Sequence, residues 1–281
     1  LTSANLRYGS NFKDADFTNA TLSVVDLTGS YSSSYGLITS NFSGANFTGA
    51  DLTNADLSYG SNFNGVNFTK AILTNADLSS SYSYSYGVFF RSNFSVTNFT
   101  EANLSNADLS YGSNFALSNF TKATLIDADL SGARLSNDSY GSNFSRANLT
   151  EANLTNADLS DGANFAGANF TEANLTNADL NGSYSYSYGY RGSNFEGANF
   201  TGADLTSANL RYGSNFKDAD FTNATLSGVD LSGAYSYSYS YGSFIISNFA
   251  SADFTEADLS NANLSYGSNF ASANFTGADL T

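Results

Sequence analysis

A recurring row of aspartates is the feature of this sequence most suited to binding chemistry. Carboxylate oxygens are the ligands that Ca²⁺ prefers, so neighbouring aspartates could bridge calcium ions. The eight candidates are Asp26, Asp56, Asp77, Asp108, Asp129, Asp158, Asp179 and Asp230. The alternative is that each carboxylate accepts backbone N–H bonds at its own turn and is screened by solvent. We predict no firm metal site and no cofactor, with calcium at this row as the open alternative.

Asn-x-Ser/Thr triplets are a second row of candidate chemical groups, because this triplet accepts N-linked sugars. Representative positions are Asn46, Asn98, Asn153 and Asn174. The alternative is that a short repeat generates the triplet as a by-product.

Catalysis is not indicated by the residue types present. The 281 residues include no His and no Cys, so the usual general bases and thiol nucleophiles are missing. The acids stand in rows and do not converge on a predicted pocket. The net charge of −15 argues against binding to nucleic acid, which requires an excess of Lys and Arg. We predict that the protein is not an enzyme.

The elements that position these side chains repeat every five residues. Two examples are "ANFTG ADLTN ADLSY" from Ala45 and "ANLTE ANLTN ADLSD" from Ala147. Alternation within Ala-Asx-Leu predicts a short extended piece with Ala and Leu on one side and Asx on the other. Two further residues turn the chain. A period of five fits neither a helix nor a long strand, so the chain is predicted to wind into a coil.

The central apolar residues follow the order Phe-Phe-Leu-Leu, starting with Phe12, Phe17, Leu22 and Leu27. We name the four corresponding pentads sides one to four; the order has one exception, where Leu149 stands on side two. Four pentads make one coil, and about eleven coils spaced by about 4.8 Å give a rod of roughly 50 Å. The Phe and Leu columns are predicted to form a dry core.

The pentads resemble those of the pentapeptide repeat family over essentially the whole chain. The resemblance implies an all-β fold, a right-handed, four-sided β-helix with about 20 residues per coil. We expect one continuous solenoid over residues 1–281. The chain starts and ends within a coil and has no different capping segment, so we expect it to be an excerpt of a longer repetitive chain.

Insertions interrupt the repeat at one corner, between side four and side one. One extra Gly follows Leu57, whereas long Ser/Tyr segments follow Leu27, Leu78 and Leu180, and the two kinds alternate along the chain. All 19 tyrosines lie at this corner. The candidate assembly residues in the long insertions are Tyr31, Tyr35, Tyr82, Tyr84, Tyr86, Tyr140, Tyr184, Tyr186, Tyr188, Tyr235, Tyr237, Tyr239 and Tyr241. Because Tyr is enriched at interfaces, we predict that this corner mediates lateral assembly. The alternatives are that the tyrosines only cover and rigidify the corner, or that they bind carbohydrate or another surface.

Two polar columns complete the pattern. Side one always carries Asn before Phe, which predicts a hydrogen-bonded amide ladder between coils. Side two carries Thr after Phe, at Thr18, Thr48 and Thr69 and onward. A regular Thr array resembles an ice-binding surface; the alternative is that each hydroxyl serves its own turn.

The leading functional hypothesis is a structural protein of an extracellular filament, fibre or sheath, outside the cell or at its surface. Its partner would be itself, as a homopolymer or bundle, with glycans as an open addition and no membrane span. Two alternatives stay open. One is an acidic binding module that mimics DNA, as some pentapeptide repeat proteins that inhibit type II topoisomerases do. The other is an ice-binding protein.

Overall fold

The computed structural model describes residues 6, 9–28, 30–32, 36–83, 88–132, 142–185, 189–211, 213–232, 247–265 and 267–281. Within these ranges the chain forms no helix, and each complete pentad contributes one short bridge followed by a turn. Among the same residues there is accordingly no helix that could cross a membrane.

Parallel bridges join residues of the same side in successive coils. Asn11 bridges Asn41 on side one, and Asn41 bridges Asn62 in the next coil. Sides two, three and four repeat this arrangement, starting from Asp16, Thr21 and Asp26 and continuing to the last described coil. Inter-coil hydrogen bonds accompany each bridge, so the backbone of each coil is paired with the coils above and below it. The chain is a β-solenoid.

The pentad turn explains why each position accepts so few residue types. The N–H of Ala50 donates to the carbonyl oxygen of Phe47 at 3.0 Å and closes a β-turn. Gly49 occupies its third position with a φ of 66°, as type II geometry requires. The Oδ1 atom of Asn46 accepts the N–H of Thr48 at 3.1 Å and its hydroxyl at 2.6 Å. Asx and Ser/Thr are therefore selected because they close the turn together.

The interior is the apolar core that the alternation predicts. The Ala and Leu or Phe of each inner pentad are buried, whereas the Asx between them faces outward. Phenyl rings stack from coil to coil, with ring centroids 4.9 Å apart for Phe42 and Phe63. Each buried Phe or Leu contributes about 1.5–3 kcal/mol to the free energy of unfolding. Leu149 interrupts the side-two stack, while Phe144 continues the side-one stack at 4.8 Å from Phe165.

Three of the long insertions contain antiparallel hairpins. Strand β1 (Ser30–Ser32) pairs with β2 (Gly36–Ile38). Strand β3 (Ser81–Ser83) pairs with β4 (Val88–Phe90), and β5 (Ser183–Ser185) pairs with β6 (Gly189–Arg191). The three hairpins form separate two-stranded sheets. Most of the insertions that follow Leu130 and Leu231 lie outside the described residues.

Candidate functional site on the acidic side four

The side-four aspartates are held in place by the turn that follows each of them. The Oδ1 atom of Asp56 accepts the N–H of Ser58 at 3.0 Å and its hydroxyl at 2.6 Å. Asp108 binds Ser110 in the same way, at 2.9 and 2.6 Å. The geometry agrees with the alternative stated for the sequence, in which each carboxylate serves its own turn. These hydrogen bonds fix the Oδ1 atom of each carboxylate.

The second carboxylate oxygen of this row is open to a partner. Among the described residues, no hydrogen bond reaches Oδ2 of Asp56, Asp77, Asp108, Asp129 or Asp158. No Lys or Arg of the described ranges pairs with these five or with Asp179. Six successive coils therefore present an uncompensated carboxylate, with a coil spacing of about 4.8 Å.

Burial and mutual repulsion perturb the acids of this row. Partial burial raises the pKa of Asp108, hydrogen bonds from Ser110 oppose that rise, and the charges of Asp77 and Asp129 add to it. Burial likewise raises the pKa of Asp56, Asp158 and Asp179. In contrast, hydrogen bonds from Thr53 and Ser23 lower the pKa of Asp51 on side three. Among the described acids, those with a raised pKa all lie on side four.

The row does not assemble a metal site within the described residues, where no three acidic side chains come together around a common point. Its C-terminal part is less acidic, because Asn209 and Asn263 take the aspartate position. There the Nε atom of Arg211 lies 3.2 Å from Oδ2 of Asp230. The uncompensated part of side four accordingly runs from Asp56 to Asp179.

The insertion corner is closed by buried serines that sequence reasoning missed. The hydroxyl of Ser61 donates to the carbonyl oxygen of Leu27 at 2.8 Å, and that of Ser113 donates to Leu78 at 2.8 Å. The N–H of Gly60 donates to Oγ of Ser92 at 3.2 Å. The regular Ser in "YGSNF", where other pentads carry Ala, was the available signal. These serines satisfy backbone groups that the interrupted turn leaves without their usual partners.

At the short insertions of this corner, the structure describes the side chains of two tyrosines. The side chains of Tyr59 and Tyr111 are 45% and 36% exposed. The backbones of Tyr31, Tyr82 and Tyr184 lie in β1, β3 and β5. The other predicted assembly residues lie outside the described residues: Tyr35, Tyr84, Tyr86, Tyr140, Tyr186, Tyr188, Tyr235, Tyr237, Tyr239 and Tyr241.

The amide ladder predicted on side one is confirmed. The Nδ2 atom of Asn62 donates to Oδ1 of Asn41 at 3.2 Å, and Asn93 donates to Asn62 at 3.3 Å. The same bond recurs between successive coils up to Asn269 and Asn248, at 2.9 Å. Each Asn both donates and accepts, so the column is one chain of hydrogen bonds along the rod.

The threonines of side two use their hydroxyls inside the protein. The hydroxyl of Thr69 donates to Oδ1 of Asn67 at 2.6 Å and accepts from Nδ2 of Asn98 at 3.0 Å. Thr48 and Thr100 are bonded in the same two ways. A hydroxyl engaged twice has little capacity left to order water on a surface, which weighs against the ice-binding alternative.

The predicted glycosylation residues fall into two environments. Asn46 and Asn98 lie on side two and donate Nδ2 to a Thr of the preceding coil, at 2.9 and 3.0 Å. Asn153 and Asn174 lie on side three, and their Nδ2 atoms bond to no described residue. All four residues share the Asn-x-Thr triplet. Only the two on side three have an amide nitrogen that is not bonded to a described residue.

Comparison with known proteins identifies the repeat. A family model described as Pentapeptide repeats matches the chain repeatedly, over residues 1–31, 59–81, 90–110, 111–137, 140–161, 161–184, 191–213, 212–235 and 247–281. No curated protein sequence matches significantly.

Several solved structures are similar to the chain. HetL, a pentapeptide repeat protein involved in heterocyst differentiation regulation in Nostoc sp. strain PCC 7120, is 25% identical; the match covers 100% of this chain and 88% of HetL, with a TM-score of 0.40. QnrB1, a plasmid-mediated fluoroquinolone resistance protein, is 14% identical, with 94% and 91% covered and a TM-score of 0.38. A pentapeptide repeat protein of the Arabidopsis thaliana thylakoid lumen is 30% identical over 45% of this chain and 65% of its own, with a TM-score of 0.21.

Proposed function

The chain belongs to the pentapeptide repeat family, and we propose that it is a non-enzymatic binding rod whose acidic side four docks into a basic protein groove. The observation that carries this proposal is the run of carboxylates from Asp56 to Asp179. Their Oδ1 atoms are fixed by turns, and no cation of the described ranges neutralises them.

The partner chemistry follows from the distribution of charge. On the corner between sides two and three, Lys70 lies 3.5 Å from Glu101, and Lys122 lies 3.3 Å from Glu151. These cations pair with acids away from side four, so the part of side four from Asp56 to Asp179 keeps an unbalanced negative potential that attracts a basic partner. Grooves that bind the phosphate rows of DNA present such a surface. The rod would act by competing with DNA for that groove.

Inhibition of a type II topoisomerase holoenzyme tests this proposal, with DNA supercoiling as the readout. The intact chain should inhibit in competition with DNA, and salt should weaken the inhibition. Replacing Asp56, Asp77, Asp108 and Asp129 with Asn should weaken it at least tenfold. Replacing Glu101, Glu151 and Glu172 with Gln and Asp127 with Asn removes the same charge elsewhere and should change it less than threefold. No inhibition by the intact chain, or equal losses in both variants, would reject side four as the docking face.

Lateral self-assembly through the tyrosine corner is the second candidate function, in the form of an extracellular filament or sheath. It is supported by three hairpins in insertions at this corner and by the exposed rings of Tyr59 and Tyr111. Electron microscopy and sedimentation of the intact chain test it. Tyr59→Ser with Tyr111→Ser should reduce bundling, whereas Leu117→Ser, which removes a more exposed apolar side chain elsewhere, should not. Separate rods at all concentrations would exclude this candidate.

The architecture proposed for either function is a right-handed, four-sided β-helix of about eleven coils, with one-residue and long insertions alternating at a single corner. The four series of bridges support it. An experimental density map that shows a different number of faces per coil would overturn it.

A further inference from the structure

We propose that Asn153 and Asn174 on side three are sites of N-linked glycosylation, and that the fold disfavours their sequence-matched neighbours Asn148 and Asn169 on side two. The comparison is internal to one coil. Asn148 and Asn153 both stand in the sequence Ala-Asn-Leu-Thr, one pentad apart. A difference between them must therefore come from the fold.

On side two the nitrogen of the acceptor is already committed. The Nδ2 atom of Asn148 donates to Oγ1 of Thr121 at 3.0 Å and to Oδ1 of Asn119 at 3.4 Å. Asn169 repeats this with Thr150 and Asn148, at 3.0 and 3.5 Å. The two acceptors are themselves bonded, at 2.6 Å beneath Asn148 and at 2.7 Å beneath Asn169, so they lie on one side of the nitrogen and share one of its hydrogens. The side-chain amide is therefore held against the preceding coil, and presenting its nitrogen to a sugar donor requires this contact to open.

On side three the nitrogen is free within the described part of the chain. The Oδ1 atom of Asn153 accepts the N–H and hydroxyl of Thr155, at 3.2 and 2.7 Å, which holds the amide in place. Its Nδ2 bonds to no described residue and is not enclosed in the coil. For Asn153 the preceding coil carries Ile126 at the position where side two carries Thr121, so the hydroxyl acceptor is missing. For Asn174 that position is Thr155, whose hydroxyl donates to Oδ1 of Asn153 and is not bonded to the Nδ2 atom of Asn174. Substitution of this nitrogen leaves the recorded hydrogen bonds intact.

The reaction requires an activated sugar, a pyrophosphate ester carried by a nucleotide or by a lipid. The Nδ2–C1 bond forms as the bond between C1 and the phosphate oxygen breaks. The nitrogen loses one proton, and the diphosphate carrier leaves. Because one hydrogen-bonded contact must open at Asn148 and none at Asn153, the fold should favour Asn153 by about fivefold.

Two arms of one experiment test the proposal and identify the donor. In the first, the folded full chain is incubated with a soluble N-glycosyltransferase that recognises Asn-x-Ser/Thr and with a nucleotide-activated hexose. In the second, the chain is secreted by cells that transfer lipid-linked oligosaccharide. Peptide mass mapping reads the occupancy of all four sites. We expect at least fivefold higher occupancy at Asn153 and Asn174 in one arm, and that arm names the donor.

The control is the same reaction on urea-unfolded chain, where Asn148 and Asn153 should be modified equally. Thr121→Val, which removes the closer of the two acceptors of Asn148, should raise occupancy at Asn148 toward that of Asn153 in the folded chain. Equal occupancy at the two sites in folded protein, or no sugar on side three in either arm, would overturn the proposal.

Discussion

Side one and side four use the same backbone and the same turn, yet their polar columns behave differently. On side one, Nδ2 of Asn114 donates to Oδ1 of Asn93 at 3.2 Å, so each side chain is bonded to the next coil. On side four, Asp108 only accepts, from Ser110 of its own turn. An amide has donors and acceptors, whereas an ionised carboxylate has acceptors alone. This single difference makes side one cohesive and leaves side four as a charged surface.

The row of negative charges on side four destabilises the folded chain. Like charges in neighbouring coils repel, by about 1 kcal/mol at 4 Å in water and by more where solvent is excluded. Burial is the main cause of the raised pKa of Asp56, Asp108, Asp158 and Asp179, and the charges of neighbouring aspartates add to it. A row that served only the turn would do as well with Asn, as Asn263 shows by accepting the N–H of Ser265 at 3.1 Å. Retention of Asp along six coils is therefore consistent with a use for its charge.

The largest expected effect on stability comes from removing one polar side chain in the middle of the side-one column and comparing it with the same change on side four. Asn143 donates to Asn114 at 3.2 Å and accepts from Asn164 and from the N–H of Ser145. Asn143→Ala should lower the free energy of unfolding by about 2 kcal/mol, because it removes three bonds and leaves neighbours unsatisfied. Asp129→Ala loses one turn bond but relieves repulsion, so it should change stability by less than about 0.5 kcal/mol. Urea unfolding followed by circular dichroism measures both, and equal losses would contradict the division between the columns.

A smaller effect on stability is expected when Asp on side four is replaced with Asn and Asn on side one with Asp. Asp108→Asn should stabilise the protein by about 1 kcal/mol at pH 7, because the turn bond survives and two repulsions disappear. Asn114→Asp should destabilise it by a similar amount, because the bond donated to Asn93 is lost and a charge enters the amide column. Thermal unfolding at low and high salt provides the readout. Salt should shrink the first effect more than the second; the same sign for both substitutions would refute the comparison.

Much of this arrangement could be predicted from the sequence, because the period of five fixes the turn and the order Phe-Phe-Leu-Leu fixes which residues stack. The amide ladder followed from Asn at every side-one position. The regular Ser in "YGSNF" signals the serine closure of the insertion corner, but its partner could not be predicted, since Ser61 reaches Leu27 across an interrupted turn. Nor could the free nitrogen of Asn153, because its environment is set by Ile126 one coil away and not by its own triplet. Side-chain partners depend on the neighbouring coil, which a local motif does not contain.

The smallest expected effect is a dependence of stability on pH that belongs to side four alone. Burial raises the folded-state pKa of Asp56, Asp108, Asp158 and Asp179 above the usual value of 3.8. In the window above 3.8 the folded chain then binds more protons than the unfolded chain, so stability rises as the pH falls from 7 toward 4. The lowered pKa of Asp51 acts in the opposite direction, mainly as the pH approaches and falls below 3.8.

Urea midpoints between pH 7 and pH 4 measure this slope. The variant in which Asp56, Asp108, Asp158 and Asp179 are all replaced with Asn should be more stable than the intact chain at pH 7 and should lose most of the rise on acidification. Replacing Asp51 and Asp204 on side three with Asn provides the control and should leave the rise in place. If the urea midpoint of the fourfold variant still rises between pH 7 and pH 4, the four side-four carboxylates are not the origin of the pH dependence. The contrast between these carboxylates and the amides of side one would then be geometric and not electrostatic.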